Sequence, residues 1–160
     1  MYMPVIGTLG YILSPDRQQV LLVHRNARKG DYHLGKYNGL GGKMEADEDV
    51  RSCMVREVQE EAGISCREMS LRGTVNWPGF GPNGENWLGF IFLITAFDGT
   101  PLNCNEEGDL GWYPLAEVEK LPMWEGDRFF LPLVFDDDPR PFHGHMPYQN
   151  ARPLSWQYSR

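Results

Sequence analysis

The sequence is short of positive charge. Lysine and arginine together number 15 against 22 aspartates and glutamates, a formal net charge of −7. No basic field draws in the phosphates of DNA or RNA, so polynucleotide binding is not expected. A small anion stays accessible if a metal ion bridges it. Long apolar runs are lacking too: the strongest, Trp87 to Phe97, falls well below the roughly 18 residues that suggest a membrane span, so no membrane partner is expected. Met1 to Ser14 has neither the basic start nor the small-residue cleavage site of a secretory leader, which makes the cytoplasm the expected compartment. Cysteine is scarce. Cys53, Cys66 and Cys104 form no CxxC pair, which excludes a disulfide framework or a zinc site and leaves reduced thiols. Repeats, low-complexity tracts and composition breaks are missing as well, and residues 1–160 are expected to form one domain.

What is present is an ordinary globular composition, 41% hydrophobic and 23% charged. "VIGTLGYIL" and "QQVLLVHR" flank Ser14-Pro15-Asp16 and read as a hairpin, followed by a loop from Asn26 to Gly39. A helix is expected from about Asp47 to Ala62, with Gly63 as its stop. "SLRGTVNW" and "NWLGFIFLITAF", joined around Asn83-Gly84, read as paired strands. "GWYPLAEVEKL" reads as a strand entering a short helix, Trp124 to Phe135 as a helical segment, and "FHGHMPY" and "LSWQY" as late strands. The fold class is α+β, a mixed sheet carrying a few helices.

The expected first helix ends in Glu57, Glu60 and Glu61. At about 3.6 residues per turn this i, i+3, i+4 spacing puts all three on one face, in the sector of Val50, Cys53 and Met54. Arg51, Ser52, Gln59 and Glu48 lie outside that sector. Carboxylates that continue an inward stripe are costly unless a cation neutralises them. Oxygen ligands select hard cations such as Mg²⁺, whose usual companions are waters and substrate phosphates. Just upstream, Gly41 and Gly42 allow close backbone approach and positive φ, and Lys43 offers a point charge.

Gly42, five residues, Glu48, seven residues, Arg56-Glu57-Val58, one residue, Glu60-Glu61, one residue, Gly63-Ile64 resembles the Nudix box at every fixed position across residues 42–64. The resemblance implies an α/β/α sandwich with a loop-helix-loop catalytic motif that hydrolyses a nucleoside diphosphate linked to another group. It also implies that Glu57, Glu60 and Glu61 hold a divalent metal, usually Mg²⁺ with Mn²⁺ as the other candidate, and that Glu48 and Arg56 support loop and helix electrostatically.

Outside the box, "LGKYNGLGGKM", "FDGTPLNCNEEGDLGWYPL", "LPMWEGDRFFLPLVF" and "FHGH" resemble, in order, the MutT-like enzymes that sanitise oxidised purine nucleoside triphosphates such as 8-oxo-dGTP. By that resemblance Asn38 contacts the purine, Trp124 packs on the base and Asp127 reads the purine edge. Thr8 and Arg25 lie near the nucleotide, and Glu107 is a fourth acidic metal ligand. The pattern breaks at Gly126, where those enzymes carry an aspartate, and at Glu125, where they carry a proline.

The implied reaction is hydrolysis of a nucleoside triphosphate to the monophosphate and pyrophosphate, with Glu60 or Glu107 as general base. The substrate partner is a small-molecule nucleotide, and the chain is a monomer or homodimer. Rival readings are a Nudix pyrophosphatase acting on ADP-ribose, a dinucleoside polyphosphate or a pyrimidine triphosphate, and a nucleotide-sensing module without turnover. Elsewhere the ordinary readings stand: His143 and His145 as packing or surface residues, Asp136 to Asp138 as a solvated turn, and Trp77, Trp87 and Phe90 as core or pocket wall.

Overall fold

The computed structural model describes residues 1–160. Strand β1 (Val5–Leu13) and strand β2 (Gln19–Arg25) form the expected hairpin, but they pair antiparallel only beside the turn, at Ile12↔Leu21 and Leu13↔Val20. Beyond those pairs the strands part. β3 (Tyr37–Asn38) pairs with β2 at Val23↔Asn38, and the chain then runs back between the diverging strands. It bridges to β1 at Gly10↔Leu40 and Gly7↔Lys43.

Helix α1 follows at Val50–Ala62. It begins later than Asp47 because Asp49 is its cap, the carboxylate accepting from the Ser52 N–H at 2.8 Å. Gly63 ends it in the left-handed region, φ 70°, with its N–H on the Gln59 carbonyl. β4 (Ser65–Trp77) and β5 (Trp87–Asp98) pair antiparallel as expected. β5 also runs parallel to β1 from Val5↔Trp87 to Ile12↔Ile94. β6 (Gly108–Pro114) pairs along the whole of β2, so β2's main partner is β6, which lies far along the chain.

A 3₁₀ turn (Leu115–Lys120) leads to helix α2 (Asp127–Phe135), which starts three residues after Trp124. β7 (Phe142–His145) lies parallel to β4 and β10 (Gln157–Ser159) antiparallel to β7. Two short strands between them, β8 (Tyr148–Gln149) and β9 (Arg152–Pro153), pair with each other. The main sheet runs β10-β7-β4-β5-β1-β2-β3, with β6 also on β2.

Strand alternation divides the core into two layers. Ile12, Leu21, Phe92 and Ile94 pack under Met54, Val58 and Ala62 of α1. Tyr11, Leu13, Val20, Leu22 and Ile91 pack under Phe130, Leu131 and Val134 of α2. The result is an α/β/α sandwich around a mixed sheet. All three cysteines are free thiols, and no helix is long and apolar enough to cross a membrane.

The acidic segment after α2 departs from a solvated turn. Buried Arg72 of β4 donates to the carbonyls of Val134 (2.9 Å), Leu133 (3.2 Å), Asp136 (3.0 Å) and Asp138 (2.9 Å), and to the Asp136 carboxylate (3.0 Å). Arg160 adds a second guanidinium on Asp136 at 2.7 Å. Two arginines thus satisfy the orphan carbonyls that end α2. His143 and His145 are exposed, in line with a surface reading.

Candidate active site

The site forms where the β1–β2 hairpin opens and the glycine loop enters the gap. Thr8 N–H donates to the Gly42 carbonyl at 2.9 Å, and Gly10 N–H to the Leu40 carbonyl at 2.6 Å. A Cβ on Gly41 would collide with the Thr8 carbonyl, and one on Gly42 would stand 2.5 Å from the Glu57 carboxylate. Both glycines serve close approach. The positive φ that glycine also allows is not used, since neither is among the left-handed residues.

From the helix side, Glu61 accepts from the Gly41 N–H at 3.2 Å. Burial, with the charges of Glu107 and Glu57 adding to it, pushes the Glu61 carboxyl up to about 9. Burial raises Glu57 as well, against the pull of Arg56. Glu107 sits just before β6 and meets Arg25 at 3.4 Å, while the Arg25 fork holds Asp31 at 2.8 and 3.0 Å. Arg56 binds Glu48 with both arms, at 2.9 and 2.6 Å, and reaches Glu57 at 2.9 Å and Glu60 at 3.3 Å. Its fork, with the Glu45 N–H, holds the Glu48 carboxyl down at about 2.

The three glutamates do not share one environment. The Glu61 residue is 9% exposed, and the Glu57 and Glu60 side chains are 14% and 59% exposed. The inward face of α1 is Cys53, Met54, Val58, Glu61 and Ala62, so Glu60 stands at its solvent edge, and no trio of side chains is drawn into a ligating cluster. The donor set nevertheless suits a hard cation. It is all carboxylate oxygen, and the charges of Glu107 and Glu57 add to burial in raising the proton affinity of Glu61, which is the strain a divalent ion relieves.

Beside the glutamates lies a pocket of about 360 Å³. Thr8, Arg25, Asn38, Gly41, Gly42, Lys43, Glu107, Trp124 and Asp127 all line it, together with Trp77 and Trp87. Glu57, Glu60, Glu61 and Arg56 are not on its wall; Glu57 and Glu61 touch the glycine loop from behind. Thr8 is buried, with its hydroxyl 3.4 Å from the Cys53 sulfur. Phe90, the third aromatic read as core or wall, packs in the α1 layer.

Asp127, the first residue of α2, has its carboxyl pushed up to about 7 by burial, partly offset by Arg128 and Lys36. Two lining residues carried no sequence signal. Phe80 stacks edge-on against Trp124 at 4.9 Å, and His33 sits beneath Trp124 and Asn38. Each lies in a loop where no periodicity points inward.

The break at Gly126 has a steric cause. A Cβ there would collide with the Met146 sulfur and the Tyr148 hydroxyl, so the segment after β7 fills the space an aspartate would need. Glu125 does not replace it: its carboxylate is turned to Arg152 on the surface, at 3.1 and 3.2 Å.

An acidic helix end, a glycine loop pressed into an opened hairpin and an adjoining aromatic pocket define a phosphoanhydride hydrolase architecture. Comparison with known proteins narrows this. The NUDIX domain model matches residues 3–134. An uncharacterized Nudix hydrolase of Bacillus subtilis, YvcI, is 34% identical over 127 residues, spanning 77% of this chain and 75% of that protein. The mouse oxidized purine nucleoside triphosphate hydrolase is 29% identical over 143 residues, 89% of this chain and 86% of that one. The crystal structure of the mutator MutT protein of Bacillus halodurans superposes with a TM-score of 0.81 at 29% identity, covering 97% of each chain. The chain belongs to the Nudix family. It is a hydrolase with MutT-like architecture.

Proposed function

We propose that this Nudix hydrolase is a nucleoside triphosphate diphosphatase with a preference for purine, including oxidised purine, bases, releasing the monophosphate and pyrophosphate. The observation that carries the reading is the adjacency of two compartments: an aromatic pocket of about 360 Å³ and, behind its glycine wall, the carboxylates of α1. The first suits a base and the second suits phosphates bridged by metal. The similarity to oxidized purine nucleoside triphosphate hydrolases supports the same choice.

In this reading Glu57, Glu60, Glu61 and Glu107 hold the divalent ion, Mg²⁺ or Mn²⁺, which when bound neutralises phosphate charge and lowers the pKa of a water. The protein's own groups do the rest. Lys43 and Arg25 offer positive charge to the phosphates from the pocket wall. Arg56 fixes the loop to the helix through Glu48, and Trp124 and Phe80 give the base a face to stack on. Glu60 is exposed enough to reach a water, and it and Glu107 are the candidates for general base. The enzyme acts as a monomer or homodimer in the cytoplasm.

A substrate panel tests this: 8-oxo-dGTP, 2-hydroxy-dATP, the ordinary triphosphates and ADP-ribose, compared by kcat/KM with product identification. Pyrophosphate release, fastest from a purine triphosphate, is expected. Sugar-phosphate release from ADP-ribose as the dominant activity refutes the reading.

A further inference from the structure

Three hydrogen-bonding groups at the floor of the pocket fix one another's polarity. The Trp124 indole N–H points at His33 Nδ1 at 2.7 Å. An indole nitrogen can only donate, so Nδ1 must be the accepting nitrogen of a neutral ring, and the ring's hydrogen lies on Nε2. The Asn38 amide approaches the same Nδ1 at 3.3 Å, and against an acceptor it must present its NH₂. Asn38 Oδ1 is thereby turned away, and it is buried without any hydrogen-bond partner. Residues 33, 38 and 124 all line the pocket.

An unpartnered buried acceptor is costly in the free protein, and its natural complement is a donor on the ligand. We infer that His33 and Asn38 form a base-reading pair whose polarity Trp124 sets: His33 Nε2–H donates to an acceptor on the bound base and Asn38 Oδ1 accepts from an N–H beside it. The inference rests on the nucleotide reading of the pocket and assigns a specificity-determining role to His33.

The pair makes a chemical distinction. Guanine offers two acceptors, N7 and O6, side by side, which leaves Asn38 Oδ1 facing a lone pair, whereas adenine offers N7 as acceptor next to an N6 donor. Oxidation of guanine at C8 places a hydrogen on N7, so that edge becomes donor at N7 and acceptor at O6, the reverse of adenine's order. Read along the N7 edge, the pair takes adenine in one orientation and C8-oxidised guanine in the other, and guanine in neither, although no aspartate occupies position 126. The surroundings support the neutral ring: burial and the charge of Arg25, with Lys36 adding and Asp31 opposing, lower the His33 pKa to about 4.

Nitrogen NMR on the labelled, metal-free protein tests the polarity directly. Nδ1 of His33 should be unprotonated and Nε2 protonated from about pH 5.5 to 8, and Trp124→Phe, which keeps a ring but loses the N–H, should release that preference. Adding 8-oxo-dGMP or dAMP should move the His33 Nε2–H resonance, and deoxyribose 5-phosphate should not. In kinetics, His33→Phe should lower the kcat/KM ratio of the preferred purine triphosphate over dGTP by about 10-fold, the worth of one hydrogen bond. His33→Gln, which retains an N–H, should keep most of it. A proton on Nδ1 in the free protein, or an equal loss for every triphosphate in His33→Phe, overturns the inference. A wild-type protein that hydrolyses none of the triphosphates overturns the proposed activity instead, and the tautomer and the monophosphate titration still decide the role of His33.

Discussion

Arg56 grips Glu48 with two parallel hydrogen bonds, Nε to Oε2 at 2.9 Å and Nη2 to Oε1 at 2.6 Å. The same Nη2 reaches the Lys43 carbonyl at 3.1 Å, so one guanidinium ties the glycine loop to the helix that carries the glutamates. A lysine keeps the charge but not the fork. Arg56→Lys should lower the Tm by roughly 3 to 5 °C and reduce kcat more than KM. Thermal unfolding and steady-state kinetics check the two effects separately.

Glu61 is buried against a single weak N–H donor and among like charges. Glu61→Gln should therefore stabilise the protein in a chelating buffer, by on the order of 1 kcal/mol, while hydrolysis is lost. Glu60→Gln, at the exposed edge, should leave stability unchanged and remove most turnover. Denaturant melts with and without Mg²⁺ separate these cases, and near-normal hydrolysis in Glu60→Gln refutes the assignment.

Asp127 and His33 oppose each other as pH changes. The Asp127 carboxyl is raised to about 7, so its stabilising effect is complete at low pH and is lost as pH rises through 7. His33 is lowered to about 4, so its contribution is complete above its ordinary value and is lost as pH falls through 4. Between about pH 4 and 6.5 the two slopes cancel. Relative to wild type, Asp127→Asn should make stability rise more steeply with pH in that window, and His33→Phe should make it fall, each by up to about 1 kcal/mol per pH unit. Urea melts across the window check the opposite signs.

Gly126→Asp, which restores the residue found in relatives by the resemblance above, should destabilise by about 1 to 3 kcal/mol because the Met146 sulfur and Tyr148 hydroxyl occupy its place. Adding Tyr148→Phe should recover part of the loss. The recovery, measured as a double-mutant cycle, reports direct contact.

The Nudix box and its helix are legible in the chain because their signals are local: the spacing of Glu57, Glu60 and Glu61, the stop at Gly63, the glycine pair before them. The paired strands β4 and β5 and the strand into a short turn at Gly108 to Lys120 are legible for the same reason. What is not legible depends on partners far away. β2 leaves β1 for β3 on one edge and pairs along its whole length with β6 on the other. Helical spacing puts three glutamates on one face, yet Glu61 is buried against the Gly41 N–H while Glu60 stays exposed beside Arg56. His33 lies in a loop with no pattern, and its role depends on Trp124, 91 positions later. Gly126 reads as a lesion until Tyr148 is seen behind it.

The parallel ladder from Val5↔Trp87 to Ile12↔Ile94 has a kinetic consequence. Thr8, Arg25 and Asn38 line one pocket with Glu107, Trp124 and Asp127 only after the early and late halves of the chain have met, and closing so long a loop is among the slow steps of folding. A nucleotide has nothing to hold until that encounter is over. Its binding energy is therefore spent after the rate-limiting event: a bound ligand should leave the speed of refolding almost untouched and lengthen the lifetime of the folded molecule.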